Sequence, residues 1–274
     1  MIVRTISAIV YLLIVFPCIY FSSTPAFIVF AFLLAFRSAY EMLKCNELHK
    51  NVGISIATYL VTVLPILPRL LGLGLFNKLA LPYAFVCAFI ALSIYTFMKN
   101  KPEIGKLCTT YLFSVYASAG FTSLVLLTEF CDGKWYYMFL AFLASWITDT
   151  FALLTGMLFG KHKLLPAVSP KKTVEGAIGG SVFCILFFVL YAYLLERFFD
   201  FELSAYWLVA LCGFVCSIVA IIGDLLFSAV KRASGIKDFG RLMPGHGGIL
   251  DRFDSLISIS IVLYLFISIT KIFS

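Results

Sequence analysis

The chain has 274 residues, of which 62% are hydrophobic and only 13% charged, and its formal net charge is +7. Ordinary soluble domains are about half apolar and about a quarter charged, and a water-soluble protein of this length could not bury so much apolar side chain. The composition therefore excludes a soluble globular domain. The apolar residues come in long runs, each near the roughly 20 residues that cross a bilayer core, so the chain reads as polytopic.

The first run, 5–21, follows Arg4 and contains Pro17. No A-x-A-like cleavage site follows it, and further spans come at once, so it reads as a retained first helix. The next runs are 25–41 and 53–71, the latter carrying Pro65 and Pro68, which should bend or end it. They are followed by 78–98, 109–127, 135–159, 176–196, 204–225 and 250–270. The predicted fold class is all-α: a polytopic membrane protein of about nine transmembrane helices. Residues 1–130 read as a helical scaffold suited to dimerisation, and 131–274 as a catalytic region with two basic loops, 160–175 and 226–249.

Counting Lys and Arg loop by loop sets the orientation. The side holding the N-terminus receives Arg4, Lys44, Lys50, Lys99, Lys101, Lys106, Lys161, Lys163, Lys171, Lys172, Lys231, Arg232, Lys237, Arg241 and Arg252. The opposite side receives Arg69, Lys78, Lys134, Arg197 and Lys271. That bias predicts a cytoplasmic N-terminus. Basic loops beside anionic lipid also explain the positive charge without any nucleic-acid partner. More than half of the inside charges nevertheless crowd into the two C-terminal loops, which suggests a polyanionic substrate. The eight cysteines lie mostly inside apolar runs and read as small hydrophobes rather than as metal ligands or disulfides.

The densest segment is GDLLFSAVKRASGIKDFGRLMPGHGGILDRFDS, from Gly223 to Ser255. Asp224 ends one span, and Asp251, Arg252 and Asp254 open the next. Charges at membrane depth are costly and mark cavities or pathways. Carboxylates from two helix ends suit a hard divalent ion, which takes one or two of them together with substrate phosphates. The competing reading is an ion pair in which Arg252 neutralises the aspartates. The intervening loop holds Lys231, Arg232, Lys237 and Arg241 among five glycines. Gly247 and Gly248 lead into the last helix, whose positive end favours anions. His246 is a phosphate ligand, a proton donor or a backbone-bonded loop residue.

The second segment, DTFALLTGMLFGKHKLLPAVSPKKTVEG, runs from Asp149 to Gly176. Asp149 sits above a stripe of Ala152, Gly156 and Gly160. It is either a buried, protonated acid within a close helix contact or a carboxylate lining the same cavity as Asp224 and Asp251. Ser169 and Pro170 read as an N-cap with proline at the first helical position, which places Lys171, Lys172 and Thr173 in a first turn. Cations there oppose the helix dipole unless an anion binds between them. Glu175 is a dipole complement or a site residue.

The stretch Ser228-x-Val230-Lys231-Arg232-x4-Lys237-Asp238-x-Gly240-x3-Pro244-x-His246-Gly247-Gly248-Ile249-x-Asp251-Arg252-Phe253-Asp254 closely resembles the signature of the phosphatidate cytidylyltransferase (CDP-diacylglycerol synthase) family. Ser169-Pro170-Lys171-Lys172-Thr173-x-Glu175-Gly176 is similar to a second segment of that family. Together they cover about the last 130 residues. Met243 departs from the family's usual Leu, Ile or Phe, and Leu153 and Met157 stand where an aromatic and a basic residue are usual.

The resemblance implies that CTP and phosphatidic acid give CDP-diacylglycerol and pyrophosphate with the help of Mg²⁺, in a homodimer in the bacterial cytoplasmic membrane, with the active site facing the cytoplasm. By position, Asp224 and Asp251 correspond to its metal ligands, with Asp149 as a third acid. The candidate catalytic residues are Lys231, Arg232, Lys237, Asp238, His246 and Asp254. The candidate substrate ligands are Ser169, Lys171, Lys172, Thr173, Glu175, Ser228, Arg241, Gly247, Gly248 and Arg252. A CTP-dependent lipid kinase and an ion-coupled transporter are the rival readings, although no internal repeat of the kind common in transporters is present.

Overall fold

The structure is a computed structural model that describes residues 13, 15–22, 24–71, 103–128, 135–199, 205–240, 242 and 247–270. Its elements are α1 (Pro25–Cys45), α2 (Val52–Val63), α3 (Leu67–Leu70), α4 (Ile104–Leu127), α5 (Tyr136–Phe159), β1 (Lys163–Leu165), β2 (Ser169–Thr173), α6 (Val174–Phe199), α7 (Tyr206–Ala233) and α8 (Leu250–Thr270). Six of these, α1 and α4–α8, are long and apolar enough to cross a membrane. The chain is an all-α polytopic membrane protein, with one small hairpin among the described residues. Most of the predicted span 5–21 and all of 78–98 lie outside the described residues.

The predicted span 53–71 is two pieces. Helix α2 ends at Val63, a turn follows, and α3 restarts with Pro68 in its first turn. Proline lacks the N–H that a continuous helix needs and clashes with the preceding turn. Helix α7 runs two turns beyond its predicted end, so Ser228, Lys231 and Arg232 are helical rather than in a loop. Lys231 and Arg232 there face the negative end of the helix dipole, a favourable place for cations.

The chain divides into two compact units, one made of Met1–Trp135 and Val230–Phe253, the other of Tyr136–Ala229 and Asp254–Ser274. Helices α7 and α8 each have residues in both. In the first unit, Leu43, Leu48, Ile54, Leu107 and Tyr111 form one apolar cluster between α1, α2 and α4. Polar bonds fix its register: Asn46 Nδ2 donates to Thr110 Oγ1 at 2.9 Å, and Ser118 Oγ donates to the Thr62 carbonyl. Hydrogen bonds of this kind substitute for the hydrophobic driving force that lipid does not supply between helices.

In the second unit α5 and α6 lie against each other with almost nothing between them. A Cβ on Gly176 would meet the Ala152 carbonyl oxygen at 2.5 Å, and one on Gly180 the Thr148 carbonyl oxygen at 2.7 Å. The small-residue stripe read from the sequence is therefore a packing seam. The outer face of α7 exposes Trp207, Leu211, Phe214, Ile218, Ile222 and Leu226 at steps of three and four residues, a stripe suited to acyl chains.

Candidate functional site

The described site residues fall in both units. In the first unit the site is built at the end of α7. Gly235, at φ +69°, stops the helix; its N–H bonds to the Arg232 carbonyl and the Ile236 N–H to the Lys231 carbonyl at 2.9 Å. This is a Schellman cap, which requires the left-handed conformation that glycine adopts at little cost. Within that turn Arg232 Nη1 donates to the Ile236 carbonyl at 3.3 Å. The cap turns the chain back so that Lys237, Asp238 and Phe239 follow as an exposed stretch ending at a buried aromatic ring.

Asp251, one residue inside α8, gathers this turn. Its Oδ1 accepts from Lys231 Nζ at 2.8 Å, and its Oδ2 from the N–H groups of Phe239 and Gly248, both at 2.8 Å. Lys231 Nζ also stands 5.3 Å from the centre of the Phe239 ring. For Asp251 the bonded cation is Lys231, at 2.8 Å. The lysine comes from the preceding helix, and a pairing across the loop cannot be ranked from sequence spacing.

Glu41 is the residue that sequence reasoning missed. It lies in α1, fully buried, and accepts from the N–H of Ile249 at 3.0 Å and of Leu250 at 2.9 Å. Arg37 Nε stands 3.4 Å from Glu41 Oε1. A carboxylate that holds two otherwise unpaired amides at the start of α8 neutralises the positive helix end. A Cβ on Gly248 would meet Glu41 Oε1 at 2.5 Å, so the second glycine of the Gly247-Gly248 pair makes room for this carboxylate. The Gly248, Ile249 and Leu250 amides that lead into α8 are thus taken by the carboxylates of Asp251 and Glu41. An acid inside a predicted span was the only signal available in the sequence. Arg241 and His246 lie outside the described residues.

In the second unit, the Ser169–Pro170 expectation needs correction. Ser169–Thr173 is a strand, antiparallel to β1, with Lys163 opposite Thr173 and Leu165 opposite Ser169. The helix starts only at Val174, and Thr173 is its cap: Thr173 Oγ1 accepts the Gly176 N–H at 3.1 Å. Gly156 of α5 and Gly160 just beyond its end crowd the same hydroxyl, leaving Thr173 buried. Proline fits the strand because a two-stranded ribbon is all edge. Lys171 and Lys172 therefore point to opposite faces of an extended segment and are not in a helical first turn.

Lys172 reaches Asp224 Oδ2, and Ser228 Oγ donates to Asp224 Oδ1 at 3.2 Å. Glu175, in the first turn of α6, ties down the hairpin base: the His162 N–H lies 3.2 Å from both of its oxygens and His162 Nδ1 2.6 Å from Oε1. It is a helix-dipole complement that also fixes the strand carrying Lys172. Asp149 is exposed in this chain and not buried as the packing reading required; its Oδ2 accepts Ser255 Oγ at 3.4 Å. Gly223 packs on Ser258 and the Asp254 carbonyl, so Asp149, Asp224 and Asp254 come from three helices into one neighbourhood.

Among the described residues no group of three or more His, Cys, Asp or Glu is placed to hold a metal ion by protein donors alone. A divalent ion on a nucleotide needs fewer, because phosphates and water supply the remaining oxygens. Asp224 suits that task best: its side chain is 24% exposed, against 3% for Asp251, and it bonds one lysine and one hydroxyl.

The chain matches the Cytidylyltransferase family over residues 2–270. It is 37% identical over 253 residues to a phosphatidate cytidylyltransferase of Staphylococcus haemolyticus, covering 92% of this chain and 94% of that one. A Staphylococcus saprophyticus protein of the same name is equally similar. One from Staphylococcus aureus is 35% identical over 255 residues, with the same coverage.

Proposed function

This chain belongs to the cytidylyltransferase family, and we propose that it is a membrane nucleotidyltransferase making CDP-diacylglycerol from CTP and phosphatidic acid, with release of pyrophosphate. The observation that carries the mechanism is a repeated pairing. Lys172 with Asp224, inside α7, and Lys231 with Asp251, in the first turn of α8, each join a lysine to a carboxylate of a membrane-spanning helix. Such a pair stays neutral when empty and offers one phosphate-binding cation when its partner is drawn elsewhere.

In the proposed step an oxygen of the phosphatidate monoester attacks the α-phosphorus of CTP in line. A P–O bond forms there while the bond from that phosphorus to the oxygen bridging to the β-phosphorus breaks. Pyrophosphate leaves with the electron pair. No covalent enzyme intermediate is required, because a phosphate monoester is already an adequate nucleophile. Lys231 and Lys237 in the first unit and Lys172 in the second are the cations available to phosphate oxygens, and such cations offset the negative charge of the reacting phosphates. The Gly235 cap and the Asp251 bonds to the Phe239 and Gly248 amides fix the loop beforehand, so that little reorganisation is left for the reaction itself. Mg²⁺, with Asp224 or Asp251 among its ligands, would supply charge neutralisation on the departing pyrophosphate.

The orientation proposed from the basic-loop bias puts the chemistry at the cytoplasmic face of the bacterial inner membrane, and a homodimer is proposed from the resemblance alone. The test is pyrophosphate release by purified protein with CTP and phosphatidate, beside CTP and a lipid alcohol. Release that depends on phosphatidate, and falls at least 100-fold in Asp224→Asn and in Asp251→Asn, supports the reading. Phosphorylated alcohol and CDP, formed without pyrophosphate, would make it a lipid kinase.

A further inference from the structure

A cavity of about 730 Å³ lies in the first unit between α1 and the chain that follows α7. From α1 it is lined by Arg37, Tyr40 and Lys44; from the loop it is lined by Lys237, Asp238 and Leu242. Three cations against one acid make it a site for an anion. Arg37 is already positioned: its guanidinium carbon is 4.8 Å from the centre of the Tyr40 ring, and its Nε stands beside Glu41. A guanidinium held by stacking and an acid loses little freedom when it meets a phosphate. Among the described residues no ion pair takes up Lys44 or Lys237.

The chemistry of the anion follows from the rest of α1. Val29, Leu33 and Phe36 are exposed apolar residues about two to four turns before Lys44. With 3.6 residues per turn, Val29, Leu33, Phe36, Arg37, Tyr40 and Lys44 fall within an arc of about 100°. One face of the helix is thus apolar along its membrane length and cationic at its end. A nucleotide has no use for the apolar part. An amphiphile with acyl chains and a terminal phosphate matches both parts.

We propose that the Arg37–Tyr40–Lys44 face of α1, with Lys237, is the binding site for the phosphate monoester of the acceptor lipid, its acyl chains lying along Val29, Leu33 and Phe36. The assignment rests on the cytidylyltransferase reading and gives the N-terminal half, which the sequence marks as scaffold, a direct share in substrate selection.

Spin-labelled phosphatidate and spin-labelled diacylglycerol, each added to the detergent-purified protein without CTP, give the decisive comparison. The wild-type chain should immobilise phosphatidate several-fold more than diacylglycerol. Arg37→Ala and Lys44→Ala should each remove most of that preference, while Lys106→Ala, a charge-matched change outside this cavity, should keep it. Binding is read without turnover, so a protein that selects phosphatidate but makes no CDP-diacylglycerol would refute the enzymatic reading and leave this one standing. In turnover, the same variants should raise the phosphatidate KM about tenfold and leave the CTP KM within twofold. Equal loss of preference in Lys106→Ala, a rise confined to the CTP KM, or unchanged constants in both alanine variants would each overturn the proposal. If an alanine variant fails to fold, Arg37→Gln and Lys44→Gln keep the side-chain bulk and carry the same comparison.

Discussion

Glu41 offers the sharpest test of how the loop before α8 is held. Glu41→Ala removes the acceptor of two buried amides, those of Ile249 and Leu250. Each buried N–H left without a partner costs about 1–3 kcal/mol, and loss of the anion at the helix N-terminus adds about 0.3–1 kcal/mol. Relief of the buried carboxylate's desolvation offsets part of this. The net expectation is a loss of roughly 2–4 kcal/mol. At about 2–4 °C per kcal/mol for a chain of this size, the melting midpoint should fall by roughly 5–10 °C. Glu41→Gln should be nearly as harmful, since its amide nitrogen must face one of the two donors. Glu41→Asp should lie between, its carboxylate being one methylene short. The assay is thermal unfolding in detergent followed by tryptophan fluorescence, paired with the rate of CDP-diacylglycerol formation. The rate should drop along with the midpoint, because the first turn of α8 also holds Asp251. A Glu41→Ala protein with wild-type midpoint and wild-type rate would refute the argument that this carboxylate holds the loop.

Gly180→Leu should prevent α5 and α6 from packing, because even a Cβ there meets the Thr148 carbonyl oxygen at 2.7 Å; the readout is loss of monodisperse protein in size-exclusion chromatography. Gly235→Ala should cost about 1–2 kcal/mol, the strain of a left-handed alanine, seen as a melting shift of a few degrees, with Gly235→Asn milder than alanine. Chelation of divalent ions should abolish pyrophosphate release, and added Mg²⁺ should restore it; full activity in the chelator would remove the metal from the mechanism. Lys172→Met should lower turnover at least tenfold while leaving the melting midpoint within a few degrees, since a partly exposed ion pair contributes at most about 1 kcal/mol to stability.

The sequence reveals what is local. Hydropathy located each of the six long helices, and the two prolines marked where the third predicted span breaks. The Ala152–Gly160 stripe announced a close helix contact, which the structure places against Gly176 and Gly180. Where two local signals competed, the reading failed. Ser169-Pro170 has the chemistry of a helix start, but Thr173 has it too, and only the pairing of Lys163 with Thr173 decides in favour of a strand. The end of α7 lies two turns beyond its apolar run because a helix C-terminus favours cations such as Lys231 and Arg232.

What the sequence could not give is long-range pairing among charged side chains. Lys231 and Asp251 stand twenty residues apart and bond at 2.8 Å, a pairing that sequence spacing does not single out. Glu41 and Ile249 are separated by 208 positions. An acid in an apolar helix is costly unless donors meet it, so its presence at Glu41 already implied a partner somewhere in the chain. The donors turned out to be backbone amides, which leave no mark in the sequence. The same blindness covers Arg37 and Lys44: Lys44 reads as an orientation signal, Arg37 falls within a span and counts for neither side, and only the fold sets them across a cavity from Lys237. A motif search finds the residues that carry chemistry, but the residues that hold the motif in place are chosen by topology and must be read from contacts.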